Sequence, residues 1–395
     1  MKKNALLFII SNIVNRFGDS VDLIAFMWLT YEVTNSVILT GVVAAFNGLP
    51  SIILGLFSGV ITDRLSKKRL IIIGDLCRGG LVSIIVILFY TNMLNIYILC
   101  VTTILISTFE ILSTPARRSI LPFIVDKEDL RRINSKNSAG KTISQILGLS
   151  MAGIIINHFG LAVAVMVDAI TFFLSALLIG GIHIIGEEVV CRNEKGTFIS
   201  ELKEGLVAFK NEKIVLKTTI MATVVNLFIG GFSVMTLSYC SSVIKNNSQG
   251  QSIINALNVV GILLVSLALS YIKKQISLEK IINTGFVGLG ISLILFGICN
   301  YSIGAYIIAV MYGMATGCIT VSSVTILQHN IPLQHMGKVM ALVSLINESS
   351  VPLGNILASF MVEHVGVSNT FLWFGILIVL LILLIRYVFK CISKE

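Results

Sequence analysis

Twelve apolar runs, each long enough to cross a lipid bilayer, decide what this chain can become. They fall at 6–32, 37–61, 70–91, 95–115, 138–158, 161–184, 214–243, 252–272, 279–299, 303–326, 339–361 and 368–390. A hydrocarbon layer about 30 Å thick is spanned by roughly 20 helical residues, and backbone groups inside it must satisfy one another. Barrel strands need only about 9 to 11 residues and alternate in character, so runs of this length read as helices. The expected fold class is an all-α membrane protein, twelve transmembrane helices in two six-helix bundles. Composition agrees, since 55% of the 395 residues are hydrophobic and 12% charged, about half the charged share of a soluble domain.

The formal charge of +9 does not make a nucleic-acid surface, because the basic residues lie in short groups between apolar runs. One set of connections holds nearly all of them: Lys2 and Lys3, the segment 64–69, Arg117 to Lys136, the segment 192–213, Lys273 to Lys280, Lys338, and Arg386 to Lys394. The alternate connections, near Asn35, Asn92, Asn157, Asn300 and Gly366, have no Lys or Arg, and the one near Asn246 has only Lys245. Positive charge stays inside, so the chain is expected in the cell membrane, multi-pass, with both termini cytoplasmic. The opening 1–10 begins like a secretory signal, but no small-x-small site follows and apolar character continues to Tyr31; it reads as an uncleaved first span. Seven cysteines without a C-x-x-C pair predict neither a disulfide framework nor a metal site. With no phosphate-binding Gly-x-x-x-x-Gly-Lys-Ser/Thr loop and no nucleophile beside a base, the chain is not expected to be an enzyme or to use ATP directly.

The longest connection, 186–213, separates an N-terminal six-helix bundle, 1–185, from a C-terminal one, 214–395. Within it, FISELKEGLVAFK (198–210) has apolar residues at helical spacing, which predicts a short amphipathic helix on the cytoplasmic face. The halves resemble each other. GLSMAGIIINHFG (148–160) and GNILASFMVEHVG (354–366) have equal length, begin and end with Gly, and carry His158 and His364 at one offset. SILP (119–122) and HNIP (329–332) precede the polar stretches that lead into them, so the fifth and eleventh spans read as counterparts in a parallel duplication.

The segment GVITDRLSKKR (59–69) resembles the cytoplasmic loop after the second helix in the major facilitator superfamily of transporters. SNIVNRFGDSVDLIAFMWLTYEVTNS in the first span, STPARRSILPFIV followed by Asn134, ELKEGLVAF before the seventh span and the stretch 331–366 resemble its drug-efflux branch, which includes macrolide and siderophore exporters. The likeness covers essentially the whole chain and implies the major facilitator fold. It also implies a gating loop in which Asp63 meets the positive end of the eleventh helix, with Gly59 allowing close approach and Arg64 and Arg69 beside it. Two positions depart: Ser66 stands where the family has Gly, and Gly148 is followed by Leu149 where exporters carry Gly-Pro, which leaves the antiporter signature incomplete.

Charges inside apolar runs cost about 2.5 to 3.5 kcal/mol each on insertion scales and so mark function or a partner. Arg16, Asp19 and Asp22 form a ladder on one face of the first span, with Arg16 expected to neutralise Asp19. Asp75 and Arg78 have pairing distance on one helix, and Asp168 reads as packing. A carboxyl shielded from water binds and releases protons near neutrality, so Asp22, Glu110 and Glu348 are the proton-coupling candidates. Asp19, Phe26, Phe109, Asn226, Phe228, Phe232, Met235 and Met311 are the substrate-cavity candidates, on spans one, four, seven and ten.

The expected function is a secondary active transporter that needs no cofactor but the proton gradient. Its partners are a small hydrophobic or amphipathic substrate such as a macrolide-like compound, protons and membrane lipid, and it works as a monomer by alternating access. The alternatives are a lysophospholipid or lipid transporter and a non-transporting membrane sensor or immunity protein. The charge alternation makes a direct prediction. Single cysteines at Asn92 and Asn300 react with an impermeant maleimide added outside intact cells, whereas cysteines at Arg69 and Lys280 react only after permeabilisation.

Overall fold

The structure, a computed structural model, describes residues 2–126, 128–183, 209, 213–271, 277–331 and 336–392. Among them lie twelve long helices and no strand. They are α1 (Lys2–Thr34), α2 (Val37–Arg64), α3 (Lys67–Tyr90), α4 (Ile96–Ser119), α5 (Leu130–Phe159), α6 (Leu161–Gly180), α7 (Lys213–Ser242), α8 (Asn247–Tyr271), α9 (Leu278–Ile298), α10 (Ser302–Asn330), α11 (Met336–Val365) and α12 (Val367–Ile392). Ten are long and apolar enough to cross a membrane; α1, interrupted by charged and amide side chains, is not among them, and the apolar stretch of α12 runs over Val367–Ile382. The largest departure from the sequence reading is α5, which begins at Leu130 rather than 138. Its opening LRRINSKN is polar but free of Gly and Pro, so the helix continues beyond the apolar run. The predicted linker helix at 198–210 lies outside the described residues apart from Phe209, which is buried beside Val215, Leu327, Ile331, Val339 and Val343.

Short polar residues set the turns. Asn35 (φ 49°) ends α1 in the left-handed region that Asn tolerates, and Ser36 caps α2 by accepting the Leu39 N–H at 3.3 Å. Asn95 caps α4 by accepting the Ile98 N–H at 3.1 Å. Gly160 (φ 86°) and Gly366 (φ 82°) each make the whole connection between a helix pair, α5 to α6 and α11 to α12.

The chain divides into two compact units, Met1–Asn193 with Gln251–Ala256, and Glu194–Gly250 with Leu257–Glu395. The same close pairings occur in each. A methyl placed on Gly148 of α5 would lie 2.7 Å from the Phe17 carbonyl oxygen of α1, and one on Gly354 of α11 would collide with the Leu227 carbonyl of α7. Gly74 of α3 meets Phe109 and Ser113 of α4, as Gly285 of α9 meets Ala315 and Ile319 of α10. Gly79 of α3 meets Phe172 and Phe173 of α6; Gly290 of α9 meets Gly375 and Val379 of α12. The duplication read in the fifth and eleventh spans therefore extends through the helix contacts.

These matches set a residue-by-residue register. Counting from Phe17 and Leu227, Asp22 corresponds to Phe232; counting from Gly74 and Gly285, Asp75 and Arg78 correspond to Phe286 and Leu289. Counting from Phe109 and Ala315, Glu110 and Arg117 correspond to Thr316 and Ser323; counting from Gly160 and Gly366, Asp168 corresponds to Phe374. Four of these six charged positions of the first unit are bulky and apolar in the second, and the other two carry a hydroxyl residue. Phe232 stacks on Tyr312 with centroids 4.0 Å apart and meets Phe296 and Phe371 edge-on, while Phe228 meets Phe374 at 4.9 Å. Such pairs contribute about 0.5 to 1.5 kcal/mol each beyond their burial.

The glycine contacts predict a split in stability. Gly148→Ala and Gly354→Ala each lose about 1 to 3 kcal/mol through overpacking against a carbonyl of the neighbouring helix. Gly55→Ala and Gly80→Ala, whose new methyls meet nothing within 4 Å, are neutral or stabilising. Thermal unfolding of the detergent-purified chain checks both.

Candidate functional site

Four helices of the first unit, α1, α3, α4 and α6, bring their charges together in two layers. The upper layer centres on Arg78 of α3. Its Nη2 lies 3.1 Å from Asp19 Oδ1 of α1 and 3.6 Å from Glu110 Oε2 of α4, and its guanidinium carbon stands 4.1 Å from the ring centre of Phe172 on α6. Asp22 and Asp168 also lie within electrostatic range of Arg78 and of each other. The guanidinium thus pairs with two carboxyls and lies within electrostatic range of three more, Asp22, Asp168 and Asp75. From α5, Lys141 adds a cation within range of Asp19 and Arg16.

The lower layer centres on Arg117 of α4. Its Nη2 donates to Asp75 Oδ2 of α3 and to Ser175 Oγ of α6 at 2.9 Å; its Nη1 donates to Asn12 Oδ1 of α1 at 3.3 Å and Ser11 Oγ at 3.4 Å. Ser175 also donates to Asp75 Oδ2 at 2.7 Å.

Exposure separates the layers. The side chains of Asp75 and Arg117 are 0% and 13% exposed, whereas Asp19 and Glu110 above them are 23% and 46% exposed beside an Arg78 at 8%. The lower layer is closed and the upper one has an accessible side. Two polar atoms of the upper layer, Asp22 Oδ1 and Arg78 Nε, are buried with no hydrogen-bond partner among the described residues. An arrangement with spare hydrogen-bonding capacity and an open flank can exchange a proton or meet a polar group of a ligand.

Several sequence expectations change here. Asp75 and Arg78 do not pair with each other; each pairs with another helix. Asp19 pairs with Arg78 rather than Arg16. Glu110, a proton-coupling candidate, lies in the ion cluster, and Asp168 is a buried member of the same field rather than simple packing. Arg78 and Arg117, the hubs, were missed as such. The only signal was that both stand in or at the end of apolar runs, where a cation demands a partner.

Among the cavity candidates, Phe26, Phe109 and Asn226 are half-buried and Met311 is exposed. Phe228, Phe232 and Met235 are buried in the interior of the second unit, a packed environment rather than an open wall. Glu348 on α11 is exposed, next to Asn347, which accepts a hydrogen bond from Thr223 of α7 at 3.0 Å.

The gating loop is shorter than expected. Gly59, Asp63 and Arg64 belong to the end of α2 and Arg69 to the start of α3, leaving Leu65 and Ser66 as the connection; the Asp63 and Arg64 side chains lie outside the described ones. Ser66 has φ −61°, which any residue adopts, so the family's Gly is not needed there. Arg69 is exposed. Lys68 is more than a topology signal: its Nζ donates to the Gly180 and Ile182 carbonyls, each at 2.7 Å, and so caps the end of α6.

The family model of the Major Facilitator Superfamily matches residues 8–351 and 219–394. Macrolide efflux protein A of Streptococcus pyogenes is 22% identical over 378 residues, covering 92% of each chain. The staphyloferrin A transporter of Staphylococcus aureus is 23% identical, covering 93% of this chain and 92% of its own, and multidrug efflux pump Tap of Mycolicibacterium fortuitum is 24% identical, covering 93% and 91%. In structure, the nucleoside transporter NupG matches with a TM-score of 0.82 at 15% identity over 98% of this chain and 99% of its own. The POT family transporter PepTSo matches at 0.74 and 13% identity over 100% and 99%.

The two flanks of Arg78 differ in what their loss does. Arg78→Gln strands buried carboxylates and costs about 3 to 5 kcal/mol. Glu110→Gln, on the open flank, costs under about 1 kcal/mol. Melting temperatures of the two variants in detergent distinguish them.

Proposed function

The chain belongs to the Major Facilitator Superfamily, and from that premise we propose that it exports a bulky hydrophobic or amphipathic compound by alternating access, driven by proton entry. Membership makes it a multi-pass membrane transporter of a small molecule rather than an enzyme. The export direction is supported by relatives named for macrolide and multidrug efflux. The basic connections are assigned to the cytoplasm, and both termini with them.

The observation that carries the coupling is the Arg78 guanidinium paired with Asp19 and Glu110, within electrostatic range of Asp22 and Asp168, with an accessible side at Glu110. Arg78 keeps its charge throughout, so the carboxyls are the groups that gain and lose protons. A proton on Glu110 weakens its longer contact with Arg78 and leaves the guanidinium to Asp19. A proton on Asp22 relieves its repulsion from Asp19 and Asp168. Each step changes what the open flank offers a passing molecule. One charge crossing a potential of about 100 mV supplies about 2.3 kcal/mol for the cycle.

Purified protein in proteoliposomes with an imposed pH gradient, and a radiolabelled macrolide as probe, tests the scheme. Asp22→Asn and Glu110→Gln together lower gradient-driven transport by about tenfold or more, the effect of about 1.4 kcal/mol in a barrier. Counterflow without a gradient persists, which separates lost coupling from lost folding. Unchanged gradient-driven transport in the double variant would sink the proposal.

A further inference from the structure

The lower layer repeats the upper one on the same helices. Ser11 and Asn12 of α1 lie two turns from Asp19; Asp75 of α3 lies one turn from Arg78; Arg117 of α4 lies two turns from Glu110; Ser175 of α6 lies two turns from Asp168. Of the helices that supply charges to the working cluster, α1, α3 and α6 each supply a partner to Arg117 and α4 supplies Arg117 itself, at a rise of about 1.5 Å per residue along a stiff rod.

We propose that Arg117 is a positioning residue: gripping Asp75, Ser175, Ser11 and Asn12 at once, it sets the rotation of α3 and thereby holds Arg78 among Asp19, Asp22, Glu110 and Asp168. The inference rests on the reading that those carboxyls exchange protons. Three observations carry it. The Arg117 side chain spends its planar donors on three other helices, a geometry that a point-charge lysine does not reproduce. Asp75 is fully buried and is held from two sides, by Arg117 and Ser175, so α3 has no freedom to turn without breaking both bonds. The lower layer is closed to solvent while the upper layer is open, so the anchor is less exposed to water than the cluster it positions.

The second unit shows the alternative. At its corresponding positions stand Phe286 and Ser323, and no ion cluster surrounds Leu289 among the described residues. Anchor and working cluster occur together in one unit and are both missing from the described residues of the other. The charged groups that face the carboxyls are Arg78 from α3 and Lys141 from α5, with Arg16 of α1 within range of Lys141; these stay unchanged in the variants below.

The test reads carboxyl protonation directly, without a cargo. Infrared difference spectra of the full chain in lipid, recorded across neutral pH, report the C=O stretch of protonated Asp and Glu. The wild-type band that disappears in Asp22→Asn/Glu110→Gln is the reference signal; if no such band titrates, the proton reading itself fails. Given that band, Arg117→Gln is expected to move its pH midpoint by about one unit, a tenfold change in proton affinity, and Arg117→Lys by part of that. Because a buried acid left alone threatens folding, Asp75→Leu/Arg117→Leu supplies the second arm, since apolar replacement of both members of a buried pair is often neutral for stability. A double variant that melts like the wild type yet shows a displaced midpoint supports positioning. A wild-type midpoint in both Arg117→Gln and the double variant overturns it.

Discussion

A guanidinium among apolar helices has to be surrounded by partners, and in the first unit that requirement organises everything else. Arg78 takes its partners from α1 and α4 and a ring face from α6. Arg117 takes its own from α1, α3 and α6. Removing a member of the Arg117 set leaves uncompensated charge where water does not reach, so the helices that donate these groups cannot slide independently. The small residues that let the helices approach, Gly74, Gly79 and Gly148, serve this geometry by bringing the backbones near enough for short side chains to meet.

The second unit uses the same contacts to a different end. Its register places Phe232, Phe286 and Phe374 where the first unit has Asp22, Asp75 and Asp168. Tyr239 and Tyr312 complete a cluster whose rings are nearly all enclosed, and Tyr239 donates to the Cys299 carbonyl at 2.6 Å. Ion clusters are sensitive to a single proton, whereas an aromatic core is not. The duplicated scaffold is thus filled once with paired charges and once with packed rings.

Much of the fold was legible in the chain because lipid imposes a simple rule: long apolar runs become helices, and short polar residues become the turns. Gly160 and Gly366 announced their role through matching surroundings, and the repeat they mark holds in the contacts. The site was less legible. Spacing reports neighbours on one helix, which is why Arg16 with Asp19 and Asp75 with Arg78 looked like pairs. The actual partners come from helices far apart in sequence, and no periodicity encodes which helix lies beside which. Phe228 and Phe232, buried among the rings of the second unit, show a related limit, since an aromatic side chain in an apolar run reads the same whether it lines a space or fills a core.

The single-residue junctions at Gly160 and Gly366 have a mechanical corollary. Consecutive Cα atoms are about 3.8 Å apart, so α5 and α6, like α11 and α12, are leashed at one end by a tether too short to stretch. Any splaying of either hairpin must therefore happen at its far end, with the glycine as fulcrum. In the first unit that far end is where Asn137 of α5 accepts a hydrogen bond from Asn12 at 3.1 Å and where Lys68 grips the last carbonyls of α6, so the jaws of this lever are the very places the chain has chosen to latch.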